Sequence, residues 1–156
     1  MALDRIDCGI LDSLQKDGRM TNKELASANG ISPSTCLERV RRLQDDGTIV
    51  GYRAIVNPAA LGIGVQAMIA VRMSKHGKIS FDEQREGLLA IPEVISVYLL
   101  GGSQDYLIHV ATRDVAHLRN LLAETFTSQP NIAHVETSLI FEFARSHVLP
   151  NYSHTE

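Results

Sequence analysis

The sequence predicts an α+β protein in two parts. A short segment of three helices comes first, followed by a larger domain in which two helices pack on one face of an antiparallel sheet. Three observations predict it. Up to about residue 46, apolar residues recur every three or four positions, in runs bounded by capping and stopping residues. From residue 66 the apolar period switches to two. The later runs then follow the order β-α-β-β-α-β, which is the ferredoxin-like arrangement.

Residues 3–17 read as the first helix, with Leu3, Ile6, Ile10, Leu11 and Leu14 on one stripe and Asp17-Gly18 as its stop. Thr21 caps a second helix, and Glu24 three positions on completes a capping box. Asn29-Gly30 ends it in a left-handed turn. Ser32 caps a third helix, Pro33 takes its first position, and Gly47 ends it. Two short helices joined by a tight Asn-Gly turn form a helix-turn-helix. Residues 48–56 are rich in β-branched side chains and read as a strand, which makes the predicted domain of residues 1–56 a winged helix-turn-helix. Residues 57–65, with Asn57-Pro58 and two glycines, read as a linker.

In the second domain, residues 66–143, Ala67, Ile69, Val71 and Met73 alternate with Gln66 and Arg72 along a strand. A helix follows over residues 80–91, with Phe81, Leu88 and Ile91, and Pro92 ends it. Strands at 94–100 and 105–112 flank a turn at 101–104. Asp114 caps a helix with Val115, Leu118, Leu121, Leu122 and Phe126 on one side, broken at Gln129-Pro130-Asn131. The last strand sets Val135, Thr137, Leu139, Phe141 and Phe143 against His134, Glu136, Ser138 and Glu142. The sheet face away from the helices is expected to be rich in apolar residues and to be covered by a second copy. Residues 144–156 read as a loose tail.

No run approaches the ~18 apolar residues of a membrane span, and no apolar stretch follows a basic N-terminus as in an export signal, so the expected compartment is the cytoplasm. Cys8 and Cys36 form no CxxC pair and read as reduced, partly buried thiols. The net charge is -3. Residues 1–60 hold eight basic and eight acidic side chains, so the deficit belongs to the remainder, with seven and ten. A neutral domain binds nucleic acid when its positive groups share a face.

The third helix has such a face. At about 100° per residue, Cys36, Val40 and Leu43 point one way with Leu37 at the edge, while Ser34, Thr35, Glu38, Arg41 and Arg42 point the other way and Arg39 flanks the apolar stripe. Small hydroxyls near the helix start and guanidinium groups one and two turns later suit a helix offered to the major groove. Ser32, Ser34, Thr35, Glu38, Arg39, Arg41 and Arg42 are therefore the candidate contacts to double-stranded DNA. The alternative is a solvated face on which Glu38 pairs with Arg41 or Arg42. Arg53 reads equally as a phosphate contact or as a plain surface arginine.

These residues carry a resemblance. The opening Leu3-Asp4-Arg5-Ile6-Asp7, the second-helix signature Gly18-Arg19 with Glu24-Leu25-Ala26, and the run Ile31-Ser32-Pro33-Ser34-Thr35-Cys36-Leu37-Glu38-Arg39-Val40-Arg41-Arg42-Leu43 followed by Gly47-Thr48-Ile49 resemble the Lrp/AsnC (feast/famine) family of transcription regulators. Gly102-Ser103-Gln104-Asp105-Tyr106 resembles the Gly-x-x-Asp-Tyr hairpin of that family's effector domain. The resemblance implies a homodimer, assembling further to a tetramer or octamer through the β-α-β-β-α-β domain, and an amino-acid effector held between subunits near the hairpin. It places the nucleoid-associated protein on DNA. Leu100, Gly101, Gly102, Ser103, Gln104, Asp105 and Tyr106 are the implied effector residues, with Leu99 as a wall and Thr137 and Ser138 as weaker candidates. Glycines let backbone amides approach a carboxylate, and Asp105 suits an α-amino group. The alternative is that the glycines only make the turn and Asp105 bonds local amides.

No catalytic, metal or cofactor site is expected. His76, His109, His117, His134, His147 and His154 lack paired-ligand spacing, and Ser103 lacks the G-x-S-x-G context. Two rivals share the outline: an enzyme like the sirohaem decarboxylases, which would not need the arginine face, and a small-molecule sensor acting on a protein partner.

Overall fold

The computed structural model describes residues 3–74 and 81–153. The expected helix start at residue 80, the Phe81 side chain, His76 and His154 lie outside the described residues. The chain divides into two compact units, Met1–Ile55 with Ala144–Glu156, and Val56–Phe143.

In the first unit, α1 (Arg5–Lys16) begins two residues later than its apolar stripe suggests, because Asp4 is its cap. Asp4 accepts the Asp7 N–H at 2.8 Å and Asp7 accepts the Asp4 N–H at 3.2 Å, a capping box with aspartate in place of the usual glutamate. In α2 (Asn22–Ala28), Glu24 accepts the Thr21 N–H at 2.8 Å. Gly30 then takes φ of 65°, a conformation that costs glycine little, and Ile31 N–H returns to Ala26 O at 3.1 Å. α3 (Pro33–Asp45) starts on Ser32, whose Oγ accepts the Thr35 N–H at 3.2 Å. Ile10, Leu25, Ala26, Cys36 and Leu43 form the core, with Ile6, Leu14, Val40 and Ile49 packed around it. Burial pushes the Cys36 thiol pKa up, so it stays protonated.

Two expectations fail here. Residues 48–56 form no strand. Ile49 N–H instead closes the end of α3 on Leu43 O at 2.8 Å, and Val50 beyond it is 95% exposed. β-branched composition favours an extended chain, but a strand needs a neighbour, and none is present among the described residues. The tail is not loose: it belongs with the first unit, where Leu149 N–H donates to Gln15 Oε1 of α1 at 2.9 Å. The polar Gln15 supplied no apolar signal for that attachment.

The second unit opens with a 3₁₀ turn, Pro58–Leu61. Its four strands are β1 (Val65–Met73), β2 (Val94–Leu99), β3 (Tyr106–Thr112) and β4 (Ile132–Leu139), in the order β2-β3-β1-β4 and all antiparallel. Ala67, Ile69 and Val71 of β1 stand beside Val110, Ile108 and Tyr106 of β3. That face is covered by α4 (Phe81–Leu89) and α5 (Val115–Leu121), with Leu118, Leu121 and Phe126 completing the core. Beyond α5 the chain winds into a π-helical turn, Leu122–Thr127, in which Thr127 Oγ1 bonds Leu122 O at 2.8 Å and Phe126 is buried. Val115, expected on the buried side, is exposed because it occupies the first helical position beside the Asp114 cap. β4 stops at Leu139, so Phe141 and Phe143 are not strand residues; both are exposed. The edge ladder ends where Ile140 N–H reaches Gln66 O at 2.9 Å.

The opposite sheet face is mixed rather than uniformly apolar. The register puts Met68, Ala70, Leu107 and Tyr98 on it with His109 and Ser96, and β4 adds His134, Glu136 and Ser138. The alternation of β4 places its apolar set on the helix side, which leaves polar groups along this edge. Ser96 Oγ is buried with no hydrogen-bond partner.

His109 is 9% exposed, with Nε2 at 2.9 Å from Gln66 Oε1 and its ring 6.4 Å from that of Phe143. Burial lowers its pKa below 6.5. A base held neutral in the folded state contributes stability above its unfolded pKa and loses it as pH falls from there toward the folded pKa. The stability of this unit, read from its urea transition, should therefore drop between about pH 7.5 and 5.5, by at most about 1.4 kcal/mol per pH unit for one proton. His109→Gln should drop less over the same range; equal drops would show that His109 does not carry the effect.

Candidate nucleic-acid interface and effector hairpin

α3 is fixed from three sides. Cys36 and Leu43 are buried in the core, and Asn22 Nδ2 of α2 donates to Pro33 O at 2.7 Å, which holds the helix start. Asp7 of α1 holds its middle. This carboxylate is 1% exposed and takes Arg39 Nη1 at 2.8 Å, and Arg42 Nη2 on its two oxygens at 2.6 and 2.7 Å. Arg39 Nη1 also donates to Asp4 at 2.6 Å. The Asp4 and Asp7 carboxylates raise the Arg39 pKa, in that order of importance. The Asp7 amide, the Arg39 hydrogen bond and its charge bring the Asp4 carboxyl down to about 2.

The outward face is therefore smaller than the sequence suggested. Ser34, Thr35, Glu38 and Arg41 are exposed, whereas Arg39 is half-buried and Arg42, expected to face out freely, is 42% exposed with its guanidinium turned onto Asp7. Glu38 makes no ion pair with Arg41 or Arg42 among the described residues. Ser32 Oγ lies 3.0 Å from Ser34 Oγ and 2.8 Å from Thr35 Oγ1, so the three hydroxyls form one cluster at the helix start. Ser34, Leu37, Glu38, Arg41, Arg42, Asp45 and Asp46 line a shallow depression along this surface. Its far end, at Asp45 and Asp46, is acidic and unsuited to a phosphate. Asp4, Asp7 and Asn22 were not among the sequence candidates. Their signal was present in the spacing: two acids three residues apart, on the cap and first turn of α1, match two arginines three residues apart in α3.

The β2–β3 turn is built differently. Leu100 N–H bonds Asp105 O at 2.8 Å, and Gly102 takes φ of 153°, which favours glycine. Gly101, Gly102 and Ser103 are exposed. Asp105 is tied to β1: its N–H donates to Val71 O at 2.9 Å and its Oδ2 accepts Met73 N–H at 2.7 Å. Tyr106 is buried and its hydroxyl bonds Gln84 of α4, so it belongs to the helix side of the sheet rather than to the turn. Gln104 Oε1 is buried with no hydrogen-bond partner. Ser138 stands opposite Met68 on edge strand β4. It is two strands and three residues from the hairpin end of β3, about 14 Å by strand spacing, so one subunit does not bring it to the turn.

A separate cavity of about 270 Å³ lies between α4, the π-turn and the sheet, lined by Val71, Leu88, Ile108 and Phe126 with Gln84 and Asn131. No charged side chain lines it among the described residues, so the two charges of a free amino acid would have no ionic partner there. No group of three or more metal-ligating side chains is present among the described residues.

A family model described as Lrp/AsnC ligand binding domain matches residues 66–148, and one described as winged helix-turn-helix DNA-binding matches residues 3–50. The chain belongs to the Lrp/AsnC family. Members of this family are transcription regulators with a DNA-binding and a ligand-binding domain, and this chain has that order. It is 44% identical over 146 residues to the HTH-type transcriptional regulator AldR of Mycobacterium tuberculosis, covering 92% of this chain and 80% of the relative. The leucine-responsive regulatory protein of Escherichia coli is 36% identical over 140 residues, covering 90% and 85%. Among solved structures, a transcriptional regulator of Neisseria meningitidis, NMB0573 in complex with L-Met, superposes with a TM-score of 0.84 at 30% identity, covering 95% of this Lrp/AsnC chain and 96% of that one.

Proposed function

We propose that this regulator reads operator DNA with the row Ser34, Thr35, Glu38 and Arg41 of α3, and that an amino acid bound at the β2–β3 turn sets its assembly or DNA affinity. The DNA reading is carried by Arg41, an exposed guanidinium about two turns into a helix held by its core, its start and Asp7. Ser32, Arg39 and Arg42 support the helix from its edges. Two copies would meet half-sites about 34 Å apart. The sheet face without helices, with Met68, Leu107 and Tyr98 and the unpartnered Ser96 Oγ, supports a dimer through that face, and larger assemblies are built from it. The protein then works at the nucleoid, as a regulator rather than an enzyme, like the relatives named above.

In a DNA titration at fixed salt, Arg41→Ala should lose discrimination between operator and random duplex by about 1–3 kcal/mol, the usual worth of a base contact. Unchanged discrimination would overturn this docking.

The effector reading rests on Gln104 Oε1. A buried acceptor without a partner costs about 1–3 kcal/mol, and an ammonium or amide donor would relieve it. Asp105 keeps Oδ1 for the same donor, and the Gly101 and Gly102 amides suit the carboxylate. The relatives support the ligand class: one is named leucine-responsive and another was solved with L-Met. Among the twenty amino acids, at least one at a hundredfold excess over Kd should raise the melting point, by about 2.7 kcal/mol of stabilisation. Gln104→Leu should weaken that response. No shift with any amino acid, in protein that binds DNA, would sink the effector reading.

A further inference from the structure

The two acid–base clamps on α3 are placed to do more than hold it. Of the three arginines on this helix, Arg39 and Arg42 already lie on carboxylates at 2.6–2.8 Å, the distance at which they would grip a phosphate. Asp7 is buried, so an arginine that leaves it for DNA strands a carboxylate away from water. What remains on the surface of the helix is Arg41 against Glu38, Asp45 and Asp46, a balance that repels backbone phosphates. This arrangement removes attraction that carries no sequence information.

We infer that Asp7, assisted by Asp4, determines specificity by occupying Arg39 and Arg42 in the manner of DNA phosphates, so that the helix binds arbitrary DNA weakly and discrimination falls to Ser34, Thr35, Glu38 and Arg41. The inference rests on α3 being the DNA-facing helix. Asp7 is a positioning residue: it acts on DNA only through the two arginines.

The experiment compares wild type with Asp7→Asn and Asp4→Asn on two probes, a random-sequence duplex and an operator selected by the wild-type protein from a random library, each over a range of salt. Asparagine keeps the shape and caps a helix as well as aspartate, so Asp4→Asn retains the start of α1. Each arginine released to a phosphate should steepen the dependence of log affinity on log salt by about 0.9, which at about 0.1 M salt tightens random-duplex binding roughly eightfold. Operator binding should tighten less, so the specificity ratio falls. Asp7→Asn, which frees Arg42 and leaves Arg39 on Asp4 alone, should exceed Asp4→Asn, which leaves Arg39 on Asp7 and Arg42 in place. Unchanged salt slopes with an unchanged ratio, or a parallel loss of both affinities, would mean that the carboxylates only stabilise the fold, and the inference is overturned. Should Asp7→Asn not fold, the slope of Asp4→Asn decides by the same criterion. If the wild type binds no duplex, the docking of α3 fails first and the inference with it; if it binds and the variant slopes do not move, the inference alone fails.

Discussion

Phe126→Ala should lower the stability of the sheet-bearing unit by about 3–5 kcal/mol, the usual cost of deleting a buried phenyl ring. The ring is 1% exposed and belongs to the cluster that includes Ile69, Ile108 and Leu118. The cavity that already lies beside it gives the neighbours room to relax, which would bring the cost toward the lower end. The measurement is the urea midpoint at fixed pH, with the slope of the transition checked for constancy. A loss below about 1 kcal/mol would show that the π-turn does not seat this ring in the core.

Asp7→Ala has the second-largest expected effect, about 3 kcal/mol on the three-helix unit. Breaking a buried ion pair from one side costs about 3–5 kcal/mol because it leaves charge without a partner. Here the charges left behind, on Arg39 and Arg42, keep 21% and 42% exposure and can turn to water, which argues for the lower end. The capping interaction with Asp4 is lost as well. Asp12→Ala makes the contrast. Its pair with Lys16 is at 2.6 Å, as short as the Asp7 contacts, yet both side chains are largely in water. Such pairs are worth about 0–1 kcal/mol. Equal losses for the two variants would mean that the burial of Asp7 does not govern its role.

Much of the architecture was legible because it is local. Thr21 with Glu24, Ser32 with Pro33, Gly30, and the alternation of Ala67, Ile69 and Val71 each state their structure within a few residues. The failures lie where a distant partner decides. Residues 48–56 have strand composition, but composition does not supply a neighbouring strand. Phe141 and Phe143 continue the alternation of β4, but the ladder to β1 closes at the bond from Ile140 N–H to Gln66 O, and the chain leaves the strand there. At the candidate interface, helical periodicity gave the outward positions of Ser34, Glu38 and Arg41. It could not show that Arg42 bends back, because the long side chain reaches an acid 35 residues earlier in the chain. Likewise Asp105 and Tyr106 are adjacent in sequence but serve β1 and α4 respectively, since neighbours on a strand point to opposite faces.

The turn at Leu122–Thr127 bears on how this chain is compared with others. An α-helix advances 100° per residue, and a π-turn absorbs one residue more before the backbone closes its hydrogen bond. The extra residue is taken up there rather than passed on, so Phe126 and β4 keep their places. A homologue one residue shorter in this stretch could carry the same sheet with an ordinary helix above it. When two such sequences are matched, a single-residue gap belongs inside the helix, where convention would place none.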